Sequence, residues 1–350
     1  MFNKILYAIV IAIVIFVTIG LLLPDKVHVE RHIEIQRPAA TVFTVLDSYR
    51  SFQSWSPWSQ RDPDAVYELS GPERGRGATM SWTGDPRLVG SGWQEITESQ
   101  PNSLVRMHLE FEQQGSAESY FQIDETAEGV VLTWGFDTDL LEGQGWFGGL
   151  LARYFGLFFD SWIGSDYEAG LSRLKTLLES MPAADFSELE IEIIEVEPQL
   201  ILYVSSSAGD SSGDLASKLA AAYQEISAFM KTHGLEMAAQ PLAITRIHDR
   251  DSYEVEAAIP VQAEYAQWPP GVQAAGRVQV GQSPGGLALR VLHHGPYDRL
   301  SSTYEKRAAW MAAHGIPEGS VSWEQYISDP GETADADLVT HIYSLLENEP

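Results

Sequence analysis

The chain has no cysteine in 350 residues. That excludes a disulfide framework and thiolate chemistry, and it fits any compartment. Basic residues are scarce, 22 Lys and Arg against 49 Asp and Glu, for a formal net charge of −27. Both halves of the chain share the acidic excess. A surface of that charge repels nucleic acid and anionic headgroups, so no nucleic-acid partner is expected. There is no P-loop and no HExxH pair. Gly90-Ser91-Gly92 is a lone G-x-G without the third glycine of a dinucleotide site. His28 and His32 are four apart on an alternating segment, which separates them by ~13 Å on a strand. His293 and His294 are adjacent and point to opposite faces of a strand. Neither a metal nor a cofactor is expected.

What is abundant is apolar sequence at the N-terminus. Ile5–Leu23 runs without a charge for 19 residues. At ~1.5 Å per residue a helix of that length spans ~28 Å, about one hydrocarbon core. The run is longer than the apolar region of a signal peptide and ends Leu-Leu-Leu-Pro-Asp, with no small-x-small cleavage site. Residues 1–26 are therefore expected to be a retained single-pass anchor in the cell membrane. Before the run stand only the amino terminus and Lys4; the charges after it nearly cancel. The positive-inside rule then sets the soluble domains on the outer, periplasmic side.

Residues 27–181 read as a first domain. Val27, Val29, Ile33 and Ile35 alternate with polar residues, the pattern of a half-buried strand. Pro38 opens a short helix with Val42, Phe43 and Leu46 on one side. Alternation recurs at Ala78–Trp82, Val105–Phe111 and Val130–Phe136, separated by turn residues, which describes an antiparallel meander. Ile163, Tyr167, Leu171, Leu174 and Leu178 form one apolar stripe on a closing helix near 160–180. The apolar stretch Trp146–Phe159 ahead of it admits three readings: a packed lead-in, a flap, or a surface touching the bilayer. Residues 182–188 form a linker.

The segments VERHIEIQRPAATVFTVLDSYRSFQSWSPW, GRGATMSWTGDPRLVGSGWQEI and SDYEAGLSRLKTLLES resemble the SRPBCC superfamily, START-like, in its polyketide cyclase/dehydrase-like branch. The resemblance implies a helix-grip fold, a curved antiparallel sheet around one long helix with a hydrophobic cavity between them. Trp55, Trp58, Trp82, Trp93 and Trp134 are candidates to line it. No carboxylate or histidine here stands out as a catalyst.

Residues 189–350 contain an internal repeat. AYQEISAFMKTHGL from Ala222 matches TYEKRAAWMAAHGI from Thr303 at a constant offset of 81 residues: Tyr223 with Tyr304, Phe229 with Trp310, Met230 with Met311, His233-Gly234 with His314-Gly315. Each helix is preceded by one apolar strand and followed by two, giving βαββ twice. The fold class expected overall is α+β: a transmembrane helix, a helix-grip domain, and a duplicated βαββ domain with a groove between the copies, a common place for ligands.

Ser322–Pro330 (SWEQYISDP) is the segment on which a functional reading rests. On a strand, Trp323, Gln325 and Ile327 share one face, and Ser322, Glu324, Tyr326 and Ser328 the other. Asp329-Pro330 ends the strand, since proline offers no donor. A carboxylate between Trp and Tyr on a half-buried strand is costly without a partner, and the partner expected is a ligand. At the offset of 81, Glu324 corresponds to Ala243, so the shared scaffold does not call for a carboxylate there. The Ser-rich stretch 205–212 reads as a loop.

LRVLHHGPYDRLSSTYEKRAAWMAAHG, VSWEQYISDP and the terminal DADLVTHIYSLL resemble the GyrI-like, or AraC-type effector-binding, small-molecule-binding domain. The resemblance implies a cleft for bulky, often cationic, aromatic ligands, with a buried glutamate at Glu324 and with Tyr297, Trp310 and Tyr326 near it. The helix-turn-helix of its regulatory members is missing. Together these readings predict a membrane-anchored binding protein for hydrophobic or cationic small molecules, with the bilayer as its partner through residues 5–23. An enzyme is the alternative, a hydrolase or cyclase-like activity in which Glu324 and Tyr326 carry acid–base chemistry. A module that docks a partner protein is the third.

Overall fold

The structure is a computed structural model that describes residues 2–112, 115–207, 212–249, 252–262 and 276–346. The chain forms two compact units, residues 1–186 with 312–315 and residues 187–311 with 316–350; the break after Phe186 falls inside the 182–188 stretch.

The first unit opens with α1 (Phe2–Leu22), apolar on every side. Its Lys4–Leu22 segment has a mean hydropathy of 3.1 and is almost wholly uncovered by protein. Its length and composition suit one membrane crossing, and an N-terminal signal sequence shares both features. A seven-stranded antiparallel sheet follows, in the order β1-β7-β6-β5-β4-β3-β2. Its strands are β1 (Lys26–Ile35), β2 (Val66–Ser70), β3 (Thr79–Thr83), β4 (Ser91–Gln100), β5 (Leu104–Phe111), β6 (Gly115–Thr126) and β7 (Gly129–Asp139). Three short helices, α2 (Ala39–Leu46), α3 (Phe52–Trp55) and α4 (Pro57–Arg61), bridge the first two strands. Alternation along β5, β6 and β7 buries every second side chain, as one face packing on a core requires.

The closing helix α5 runs unbroken from Trp146 to Ser180. Trp146–Phe159 is therefore the first half of one long helix, and the flap reading gives way to a helical lead-in. Tyr167, Leu171, Leu174 and Leu178 are buried against the sheet. Trp134 of β7 stacks on Tyr167 with ring centroids 3.8 Å apart. Gly170 permits that approach, because a Cβ there would stand 2.8 Å from the Trp134 ring. The indole N–H of Trp134 donates to Ser119 Oγ at 3.0 Å, and that hydroxyl donates to the Gly135 carbonyl, so the buried polar atoms are satisfied.

The second unit is an eight-stranded antiparallel sheet in the order β12-β9-β11-β10-β14-β15-β13-β8. In chain order the elements are β8 (Ile191–Val196), β9 (Leu200–Ser207), α6 (Ser212–His233), β10 (Leu242–Asp249), β11 (Ser252–Pro260), β12 (Gln279–Gln282), β13 (Gly286–His294), α7 (Leu300–Ala313), β14 (Val321–Tyr326) and β15 (Val339–Leu345). Strands β9-β11-β10 and β13-β15-β14 mirror each other about the central β10–β14 pair. Each outer strand crosses over: β8 precedes β9 in the chain but pairs with β13, and β12 precedes β13 but pairs with β9. Of the stretch read as a Ser-rich loop, 205–207 lies in β9 and Ser212 starts α6, while 208–211 fall outside the described residues.

Both helices end alike. Gly234 and Gly315 have φ of +66° and +69°, and Leu235 N and Ile316 N donate back to Met230 and Met311 carbonyls at 2.9 Å. This is a left-handed cap that only glycine enters without strain. A Cβ on Gly234 would meet no neighbour. Gly234→Ala is thus expected to cost only the backbone penalty, ~1 kcal/mol, read as a lower urea midpoint with unchanged slope.

Candidate functional site

Strand β14 presents its two faces as the sequence suggests. Trp323 is buried in a cluster with Ile244, Ala258 and Ala288 and stacks on Tyr343, 4.8 Å between centroids. Glu324 points the other way and is partly buried. The Tyr304 hydroxyl, from α7, donates to its Oε1 at 2.7 Å. The Tyr326 hydroxyl, two residues along the same strand, donates to its Oε2 at 2.7 Å. Among the described residues no lysine, arginine or histidine forms an ion pair with it; Arg307 lies over the Tyr304 ring, 4.9 Å from its centroid, and pairs with Glu318. Two phenol donors thus hold a carboxylate that lacks a cationic partner.

The phenols respond to this setting. Burial first, and then the Glu324 charge, push Tyr304 and Tyr326 well above the usual phenol range. Tyr223 and Tyr297 shift upward for the same two causes in the same order. All four hydroxyls keep their protons at neutral pH, and those of Tyr223, Tyr304 and Tyr326 act as donors.

Beside this network lies a cavity of about 910 Å³. Leu219 and Tyr223 of α6, Pro241, Tyr297 and Tyr326 contribute to its wall. Tyr326 meets Tyr297 and Tyr223 edge to face, at 5.4 and 6.5 Å between centroids. Of the candidate ligand residues, Tyr297 and Tyr326 line the cavity. Glu324 does not; it stands one residue behind the wall, joined to it through Tyr326. Trp310, like Tyr304, packs against the core formed by Leu289, Val291, Met311 and Ile342. Six residues beyond Tyr304 on a helix is a third of a turn out of phase with it, which carries the indole away from the carboxylate.

Two tyrosines not foreseen at the site belong to it, Tyr304 and Tyr223. The signal was the repeat itself, which aligned them. Each reaches from its helix to the corresponding strand: Tyr304 to Glu324, and Tyr223 to the Leu242 carbonyl at 2.7 Å. Ala243 offers no side-chain acceptor, so Tyr223 bonds to the backbone beside it. In the sheet, Ala243 and Glu324 are direct cross-strand partners. The two positions matched by the offset of 81 therefore face each other at the centre of the sheet. This alters the meaning of the asymmetry. A glutamate in both copies would set two carboxylates ~5 Å apart at Cβ, so the scaffold itself disfavours the second one.

The first unit has a cavity of its own, about 670 Å³, between sheet and α5. Trp58, Tyr67, Trp82, Phe111, Phe159 and Trp162 are among its aromatic lining. Of the five tryptophans considered for that role, Trp58 and Trp82 line it. Trp55 and Trp134 are buried in the aromatic core with Phe121, and Trp93 is exposed on β4. Among the described residues no group of three metal-ligating side chains is assembled.

Fold and cavities together define a chain of two α+β units, each with a small-molecule-sized cavity. Residues 26–179 match the family model described as polyketide cyclase / dehydrase and lipid transport, and residues 189–346 match that of the GyrI-like small molecule binding domain. No curated protein matches the chain. Among solved structures, the EcmrR C-terminal domain is 20% identical, covering 46% of this chain and 99% of its own, with a TM-score of 0.38. A hydrolase from Listeria innocua is 19% identical over 44% of this chain and 90% of its own, with a TM-score of 0.31. The Aha1 dimer from Colwellia psychrerythraea is 16% identical over 44% and 96%, with a TM-score of 0.31.

Proposed function

We infer that this is a membrane-anchored binding protein for hydrophobic or cationic small molecules, held by residues 5–23, in which Glu324 gives the second cavity its preference for cations. The matches to two ligand-binding family models support the binding role. The observation that carries the finer reading is the carboxylate whose two oxygens are each held by a tyrosine while, among the described residues, no ion pair neutralises it. Phenol donors sustain the negative charge without cancelling it, and the aromatic wall adds cation–π attraction of ~0.5–2 kcal/mol. The cavity of the first unit, mostly apolar and aromatic with Asp139, Glu142 and Asp166 in its wall, suits a hydrophobic guest.

Native mass spectrometry of the detergent-solubilised chain tests this reading. A retained small organic molecule, displaced by an aromatic quaternary ammonium dye, is the expected result. A chain that binds neither the dye nor any host molecule overturns it, and a host protein retained stoichiometrically favours a docking module instead. Turnover of a bound molecule, lost in Glu324→Gln, would mark the site as an enzyme's.

Tyr326→Phe separates wall from charge. The ring stays in the cavity and one hydrogen bond to the carboxylate is lost. Hydrogen bonds to charged groups contribute ~1.5–3 kcal/mol when buried; for a partly buried carboxylate that water can reach, a loss of ~1 kcal/mol is expected in denaturant titration. Dye affinity should change less than fivefold, since the negative charge remains.

A further inference from the structure

We propose that the N-terminal half of α5 lies on the bilayer surface, so that the first unit docks face-on against the membrane and does not merely hang from its anchor. The proposal rests on α1 spanning that bilayer. Phe147, Leu151, Tyr154, Phe155, Phe158 and Trp162 fall within an arc of about 100° on α5, as 3.6 residues per turn places them. Phe147, Phe158 and Trp162 are 64%, 53% and 55% exposed. From Trp146 to Phe159 the single charged side chain is Arg153, and it is engaged: its guanidinium donates to the Leu23 and Leu21 carbonyls at 2.8 and 3.1 Å, capping the C-terminus of α1. The charge that follows, Asp160, is paired with Arg31. The stripe therefore offers water four exposed aromatic side chains, Phe147, Phe155, Phe158 and Trp162, beside the half-buried Leu151 and Tyr154, and no free charge.

Its edge is fixed to α1. Tyr154 stacks on Phe16, 4.4 Å between centroids with the ring planes nearly parallel, and its hydroxyl donates to the Phe16 carbonyl at 2.5 Å. Leu150 packs over Gly20, where any Cβ would collide with it. These contacts set a depth. Phe16 lies six residues, ~9 Å of helix, inside the Leu22 end of α1. Where α1 spans the membrane, the Tyr154 ring therefore lies ~9 Å below the surface, within the ~5–10 Å over which interfacial helices bury their apolar faces, while the neighbouring Arg153 stays at the level of the Leu21 and Leu23 carbonyls. Aromatic rings prefer that layer. A second copy of the chain is a poorer occupant, because α1 already draws the stripe into lipid. Phe155 and Trp162 belong both to the stripe and to the cavity wall, so docking sets that wall against the lipid.

The absence of cysteine permits a direct test. Single-cysteine variants Ile11→Cys, Phe147→Cys, Phe158→Cys and Glu128→Cys of the full chain are labelled with an environment-sensitive fluorophore. Each is reconstituted in phosphatidylcholine vesicles with and without doxyl-labelled lipid. Emission loss at positions 11, 147 and 158, with none at 128 in the far β6–β7 turn, is the expected result. Loss at 11 but not at 147 or 158 overturns the docking and leaves the anchor standing; a blue-shifted but unquenched label at 158 assigns the stripe to a second copy. No loss at 11 overturns the anchor and the docking with it.

Discussion

Glu324→Gln is expected to weaken binding of an aromatic quaternary ammonium dye by about 10- to 100-fold, ~1.4–2.8 kcal/mol, while the unfolding midpoint of the unliganded protein hardly moves. The size follows from where the carboxylate stands. A rim charge exposed to water contributes ~0–1 kcal/mol to an ion pair, and truncating one partner of a fully desolvated pair costs ~2–5 kcal/mol or more. Glu324 is partly buried and one tyrosine removed from the cavity wall, so its effect falls between those limits. Stability is spared because the amide is the same size and keeps both contacts. Its carbonyl accepts from one phenol and its NH2 donates to the oxygen of the other, at the positions where Tyr304 and Tyr326 now sit 2.7 Å from the carboxylate. Isothermal titration and thermal unfolding of both proteins read the two quantities. Equal dye affinity would remove Glu324 from the site; a large fall in midpoint would show that its charge serves the fold.

Most of the fold was legible because it obeys simple periods. Val27–Ile35, Val105–Phe111 and Val130–Phe136 alternate and became β1, β5 and β7; the stripe through Tyr167, Leu171, Leu174 and Leu178 became the buried face of α5. In the first sheet β2, β4 and β6 were not picked out individually; in the second, the two strands passed over, β8 and β12, are edge strands. IEIIEV breaks strict alternation and QVGQ is only four residues long, and pairing across to the opposite repeat copy leaves no mark in local sequence. At the site, the face of β14 that holds Glu324 and Tyr326 followed from alternation. The tyrosines arriving from helices did not, since their reach depends on how α6 and α7 pack on the sheet. For Trp310 the limit is the same: similarity to a neighbouring motif fixes position along the helix but not which way a side chain six residues on will face. Glu324 itself was placed on the right face, and only the packing shows that Tyr326 stands between it and the cavity.

Ala243→Glu is expected to destabilise the second unit by ~3–5 kcal/mol at neutral pH, the cost of leaving a buried charge uncompensated, and to recover part of that loss in acid. Ala243 is 6% exposed and directly opposite Glu324 on the neighbouring strand, so a second carboxylate would enter the same side of the sheet with Cβ atoms ~5 Å apart. Two phenols serve the existing carboxylate, and Tyr223, beside position 243, is committed to the Leu242 carbonyl. The variant's two acids would therefore share a proton, and the folded state would bind more protons than the unfolded one. Stability then falls as pH rises through the carboxylate range and is regained as pH falls back through it. Ala243→Gln supplies the control. It adds the same bulk, which overpacking alone makes ~1–3 kcal/mol worse than alanine, but it adds no charge and should show no such pH dependence. Urea denaturation of the two variants between about pH 5 and 8 measures the difference. Curves that coincide at every pH would show that size, not charge, keeps alanine at the centre of the sheet, and the asymmetry between the two copies would again count toward a functional origin for Glu324.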